Sequence, residues 1–349
     1  PLPPTHRLTR PRLHREFVLS SAVNATAEIA AADAYPHIRV VDGPQQNVDR
    51  LPLPPPANAS VPHPELFYTR MNWSVASSAT VGKGSDNCCG RRALSDQDIV
   101  EQEREALSDA GTDDDELSDG AASGFSAVCW FAARDYSDAL GGKVPVGAID
   151  QSKCSTPRCA FFRPQRSRRT GYGGTSIQFW MSPDALRESD APVATQCCGQ
   201  NGGPSCLWNT QLYPYTLGPT QLSGFLWYQG EQNANCGGPT QTAGSVYSTM
   251  LQTFVKDLRA KFAQPDLLFG SCLLAPWKKD GDLISFPELR IAEANLTAHV
   301  PRTFTISTLD GGNPANGAVH SPFKQAVGRR AAQGLAAAAS GTVAAYPFM

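Results

Sequence analysis

The spacing of apolar residues along the chain switches between helical and strand periods, and each switch marks an element. Asn24–Asp33 (NATAEIAAAD) is Ala-rich behind an Asn/Thr start, which predicts a helix. His37–Val41 alternates as a short strand, and a Pro-rich loop follows over 42–65. Phe125–Ala139 places Ala127, Cys129, Trp130, Phe131, Ala133 and Ala139 at roughly helical steps, and the pair Gly141-Gly142 ends that helix. Val144–Ile149 is a short apolar run between turn residues, as a parallel central strand is. A helix-like stretch reaches Leu186, and 187–206 is a Cys/Gly-rich loop.

The second half repeats the alternation. Ser223–Tyr228 reads as a strand that stops at Gln229-Gly230-Glu231. Val246, Met250, Leu251, Phe254, Val255, Leu258 and Phe262 recur every three or four residues, the stripe of an amphipathic helix. Leu267–Leu274 and Thr303–Leu309 read as strands, Glu288–His299 and Lys324–Ala339 as helices. Short apolar strands alternating with helices predict an α/β fold with a parallel sheet covered on both faces. Residues 144–149, 223–228 and 303–309 are expected to be central strands of that sheet.

Three stretches fall outside the pattern. Residues 82–120 carry a run of Asp and Glu centred on Asp113–Glu116 and are expected to form a disordered acidic insert. The run lacks the Gly and terminal Glu spacing of an EF-hand loop. Residues 150–170 form a basic insert. Residues 1–22, basic and Pro-rich at their start, are expected to lie outside the core, leaving one domain over 23–349. The N-terminus has no apolar h-region and is not a signal peptide as it stands; with no initiator Met, the chain is expected to be a fragment or a processed form.

Composition narrows the function classes. The 349 residues are 41% hydrophobic, enough for a sizeable core. A net charge of −2 gives no field that favours nucleic acid or an anionic membrane, and no apolar run is long enough to span one. Ten cysteines, with Cys88-Cys89 and Cys197-Cys198 adjacent, lack zinc-site spacing, so no metal and no cofactor is expected. Four glycosylation triplets begin at Asn24, Asn58, Asn72 and Asn295. With the cysteines they point to a secreted, extracellular or lysosomal setting. Disulfide pairing and oligomeric state are left open.

Active sites of such folds lie past the carboxyl ends of the strands. Three strand ends carry suggestive residues. Tyr172-Gly173-Gly174-Thr175 could bring a backbone N–H close to a ligand, as an oxyanion hole requires, though a plain tight turn reads the same way. Trp227–Glu231 delivers an amide, Gln229, and a carboxylate, Glu231, to a strand tip, where burial is costly unless both are used. Asp310–His320 is a Gly/Asn loop between a strand and a helix. There His320 is free to act as a general base and Asp310 could orient its imidazole.

Taken together, Phe125-Ser-Ala-Val-Cys-Trp130, the Gly-Gly-Thr turn, Leu207-Trp-Asn209, Trp227-Tyr-Gln-Gly-Glu231 and His320 before Lys324-Gln325 occur in the order found in sialate O-acetylesterases. The chain resembles that family over most of residues 23–337, and 207–234 is the most specific stretch. The resemblance implies an SGNH-type hydrolase on a three-layer, flavodoxin-like α/β/α sandwich, acting on an O-acetylated sugar through a serine acyl-enzyme. It implies His320 as the base, Gly173 or Gly174 with Gln229 as oxyanion donors, and Glu231 as a substrate-binding residue. Asp310 matches less closely, because its spacing to His320 differs from the superfamily's short Asp-x-x-His. The family's Gly-Gln-Ser-Asn nucleophile motif occurs nowhere in the chain. Its position would fall near Leu13, so the nucleophile is unknown. A catalytically inactive relative that binds acetylated glycans is the alternative, and a structural or interaction protein working through its acidic segment is a third.

Overall fold

A computed structural model of the chain describes residues 18–43, 71–82, 125–151, 175–190, 203–218, 220–236, 243–277, 285–312 and 322–341. Among them the elements follow the pattern closely. Helix α1 (Ala25–Ala31) leads to strand β1 (Ile38–Asp42). Strand β2 (Met71–Val75) and the short helix α2 (Ser78–Val81), closed by a Ser77/Thr80 capping box, come next. Helix α3 (Ala127–Ala139) starts at Ser126, whose hydroxyl accepts from Cys129 N–H, and precedes β3 (Val146–Asp150). Helix α4 (Pro183–Ser189) has Ser182 as its cap and Pro183 at its first position. A π-helical turn (Trp208–Leu212) runs into α5 (Tyr213–Thr216), and β4 (Gly224–Trp227) leads into α6 (Glu231–Cys236). The order closes with α7 (Ala243–Lys261), β5 (Leu268–Cys272), α8 (Ser285–His299), β6 (Thr303–Ile306) and α9 (Lys324–Ala339).

The strands hydrogen-bond as two sheets of order β2-β1-β3 and β4-β5-β6. β1 pairs parallel with β3, Ile38 opposite Val146 through Asp42 opposite Asp150, while β2 runs antiparallel on its other side. β4, β5 and β6 are mutually parallel. The expectation that 144–149 shares one sheet with 223–228 and 303–309 is therefore corrected: β3 hydrogen-bonds only to β1, and β4 only to β5, among the described residues. Both unjoined strands are incompletely buried, as strands at a sheet edge are.

Side chains alternate across the second sheet. Phe225, Trp227 and Phe269 enter a core shared with α7 and α8, through residues such as Phe254, Leu258, Leu289 and Leu296. Leu226, Leu268, Phe304 and Ile306 face the other way, onto Val128 and Ala132 of α3 and Val327 and Ala331 of α9. The far side of α3 presents Trp130 and Phe131 to Ile38, Val40 and Ala148, so α3 serves both sheets. Two glycines let α9 come this close. A Cβ on Gly328 would lie 2.2 Å from Phe131 Cβ, and one on Gly334 2.2 Å from Phe304 Cδ2. Arg259 fastens the amino-terminal edge, donating to the carbonyls of Leu267, Pro301 and Arg302.

The boundaries drawn from composition shift in two places. Val18, Leu19 and Ala22 are buried, Leu19 N–H donates to Phe125 O at 2.8 Å, and Val18 bridges Ser126. These residues belong to the core, where the sequence suggested a non-core segment reaching residue 22. Asp150 ends β3 and accepts from Ser126 N–H at 2.7 Å, so it is strand and not insert. Residues 83–120 and 152–170 lie outside the described residues.

Candidate functional site

The carboxyl ends of β4, β5 and β6 converge. Tyr228, just past β4, donates to Thr308 Oγ1 at 3.5 Å, and the Thr308 hydroxyl in turn donates to Leu273 O past β5. Lys324, the first residue of α9, places its ammonium 5.1 Å from the centre of the Tyr228 ring.

Gln229 stands at the centre of a bonded network. It is 8% exposed. Its Nε2 donates to Thr175 O at 2.8 Å and to Asn233 Oδ1 at 2.9 Å. Both amide protons are thus engaged. The Tyr247 hydroxyl lies 2.9 Å from Gln229 O and 3.2 Å from its Oε1, and it accepts from Trp227 Nε1 at 3.3 Å. Asn233, one helical turn on, accepts from Ile177 N–H at 2.9 Å and donates to Gln178 Oε1 at 3.1 Å. Trp180 Nε1 donates to Thr175 Oγ1 at 3.1 Å. Thr175 is therefore pinned at its carbonyl and its hydroxyl. Gly173 and Gly174, immediately before it, lie outside the described residues, as does His320.

Glu231 is half-buried at the start of α6. Burial pushes its carboxyl up from the ordinary range, against the pull of its own N–H, of Lys324 and of the Gly230 N–H. Burial lowers the Lys324 amine to about 8, although Glu231 favours its charged form. The opposite charges of the two groups act on each other near the start of α9.

Asp310 points elsewhere. Its side chain is 59% exposed, and its two oxygens accept from Arg330 at 2.7 and 2.6 Å. That ion pair holds its carboxyl below the usual range. Arg330 also donates to Ser307 O at 2.8 Å, so the pair clasps the end of β6 to α9. An imidazole oriented by Asp310 would have to share oxygens already given to Arg330.

A Ser–His hydrogen bond is present just before β1: His37 Nε2 lies 2.7 Å from Ser137 Oγ. His37 precedes β1, and Ser137 is fully buried within α3. A serine there can approach no substrate, so the pair reads as packing. Among the described residues no group of three or more His, Cys, Asp or Glu side chains is arranged to hold a metal, and no helix is long and apolar enough to cross a membrane. Among the described residues Cys129, half-buried, and Cys272, buried, are free thiols.

Several functional contacts escape a reading of motifs. Tyr247 falls in phase with the apolar stripe of α7, and Glu293 in phase with Leu289, Ala292 and Leu296 of α8. A phenol or carboxyl on a buried stripe needs polar partners inside the fold, and that is the signal they carry. Asn233 lies four residues after Gln229, one turn along the chain, a spacing visible only once a helix is known to start at Glu231.

The family model of a carbohydrate esterase, sialic acid-specific acetylesterase, matches residues 169–337. The sialate O-acetylesterase of Mus musculus is 27% identical over 262 residues, covering 62% of this chain and 43% of that protein. That of Homo sapiens is 27% identical over 235 residues, covering 62% and 39%. The chain thus spans less than half the length of the curated relatives it matches. Among solved structures, a carbohydrate acetylesterase from Xanthomonas citri superposes with a TM-score of 0.60 at 22% identity, covering 94% of this chain and 54% of that one. That likeness is one of fold and supports an α/β architecture.

Proposed function

We propose, for a chain that belongs through residues 169–337 to the sialic acid-specific acetylesterase family of carbohydrate esterases, that it removes O-acetyl groups from sialic acid or a related acetylated sugar. The observation that carries the reading is the tie between Gln229 and Thr175. It joins the strand tip of β4 to the residue beside Gly173-Gly174, inside the matched region. Helices on both faces of the β4-β5-β6 sheet support extending the α/β fold to the three-layer, flavodoxin-like sandwich of SGNH hydrolases.

In this reading a serine Oγ attacks the acetyl carbonyl while His320 takes its proton. Backbone N–H groups of Gly173 or Gly174 stabilise the oxyanion. Collapse expels the sugar oxygen, which takes the proton from His320, and water then hydrolyses the acetyl-enzyme with His320 again as base. Because both Gln229 protons are already donated, its contribution is to hold Thr175, the residue after Gly173-Gly174, rather than to donate directly. Glu231 supports the tip and faces substrate hydroxyls. Asp310 remains the candidate acid only by exchanging Arg330 for the imidazole. The four glycosylation triplets support a secreted, extracellular or lysosomal setting.

Hydrolysis of a chromogenic acetyl ester tests the proposal. Without a Gly-Gln-Ser-Asn motif, the 349-residue chain should turn the ester over barely or not at all. A version with that segment restored before Val23 and residues 151–170 removed should be active, and His320→Ala should abolish the activity. A restored chain that folds yet stays inert would favour the second reading, a relative that binds acetylated glycans without cleaving them. The fully engaged amide of Gln229 speaks for that alternative.

A further inference from the structure

One acidic side chain beneath the β4 tip is used by none of these steps. Glu293 sits on the inner stripe of α8 and is 0% exposed. Its Oε2 accepts from Leu274 N–H at 3.0 Å, just past β5. Its Oε1 has no hydrogen-bond partner among the described residues and is turned toward Gly230, where a Cβ would come within 2.9 Å of it. Gly230 has φ +150°, a conformation that L side chains rarely adopt, so the chain turns here against the carboxyl group itself.

The groups around Glu293 do not suit a charge. Arg290, one turn earlier on α8, donates Nε to Leu274 O at 2.7 Å and Nη2 to Ala275 O at 2.9 Å, and makes no hydrogen bond to Glu293. Glu231, on the other side of Gly230, adds like charge. Tyr228, Tyr247 and Cys272 complete the surroundings and are themselves kept neutral by burial. A carboxylate with one oxygen unbonded in such a place is costly, and a neutral acid avoids the cost of burying the charge.

We infer that Glu293 is held as a neutral carboxylic acid and is a positioning residue for the Gln229–Gly230–Glu231 turn. Its acceptor oxygen fixes the end of β5 through Leu274, and its second oxygen sets the seat of Gly230. Burial, then the Glu231 carboxylate, push its acidity the same way, with the Leu274 N–H and Arg290 opposing. The inference rests on the proposed esterase reading for its functional meaning, since the turn it seats carries Gln229 and Glu231.

The test needs no substrate, so an inert enzyme would leave it standing and its own failure would leave the esterase reading standing. A glutamine has the shape and neutrality of the protonated acid. Folding stability of the full chain and of Glu293→Gln would be compared across pH by denaturant titration. The folded acid titrates above the unfolded one. Wild-type stability relative to Glu293→Gln is therefore full below about pH 4.3 and falls as pH rises through the elevated folded value. The ratio of the two folding constants should drop by up to about tenfold per pH unit in that window. A ratio that stays flat across the same window would overturn the neutral state.

Hydrogen exchange of the 227–233 segment reads the positioning role. Glu293→Gln should keep the native protection, whereas Glu293→Leu, which leaves Leu274 N–H without its acceptor, should exchange faster there. Equal protection in the Leu variant would remove Glu293 as a positioning residue.

Discussion

The two sheets use strands of similar length but bury them differently. Every residue of β5 and β6 is buried, whereas β2 buries none and β3 two of five. The cause is cover. The β4-β5-β6 sheet has α7 and α8 on one face and α3 and α9 on the other, while the first sheet packs chiefly against one side of α3. Polar groups divide in the same way. The carboxyl ends of β4 to β6 carry the Gln229–Tyr247–Asn233 network, Glu231 and Lys324, and residues 169–337 are the ones matched by the esterase family model. A doubly covered sheet can hold an engaged amide and a buried acid at fixed positions, because every neighbour is packed. The half that carries the proposed chemistry is the half with the rigid support.

Substitutions can break that contrast. The largest effect is expected at Phe269, which is buried, stacks on Phe225 at 5.6 Å and meets Phe254 edge-on. Phe269→Ala should cost about 3–5 kcal/mol in equilibrium denaturation. Val146→Ala, on the half-buried end of β3, should cost no more than about 1 kcal/mol. Equal losses at the two sites would erase the distinction between the sheets. Next comes Gly328→Val, which forces α9 away from Phe131 and should destabilise by about 1–3 kcal/mol, seen as a lower melting temperature. The smallest is Asp310→Ala. With its carboxylate largely in solvent, the Arg330 pair should contribute under about 1 kcal/mol. A larger loss would mean that the clasp between β6 and α9 is structural and not a surface contact.

Much of this organisation is legible in the sequence, for identifiable reasons. The apolar run 267–274 records a strand buried on both faces, 223–228 a partly buried edge strand, and the stripe from Val246 to Phe262 the buried face of a helix, where burial dictates residue type. The strand Met71–Val75 is missed because three of its five residues face solvent and leave no alternation to read. The division into two sheets is missed because hydrogen bonding between strands leaves no mark on composition. At the site, Gln229 and Glu231 are visible as polar residues ending an apolar strand. That the Gln229 amide is spent on Thr175 and Asn233, and that Asp310 is taken by Arg330, depends on distances across the chain that no local pattern encodes.

Under the proposed function, kcat depends on the hydrogen bond by which Gln229 fixes Thr175 at the tip of β4. The direct measurement is kcat for acetate release from an O-acetylated sialic acid by the chain carrying a Gly-Gln-Ser-Asn segment before Val23, with and without Gln229→Ala, in variants that circular dichroism shows to be folded. A displacement of about 1 Å on losing the Gln229–Thr175 bond should lower kcat on the order of 10²-fold, with a smaller change in KM. A folded Gln229→Ala variant with unchanged kcat would contradict the account.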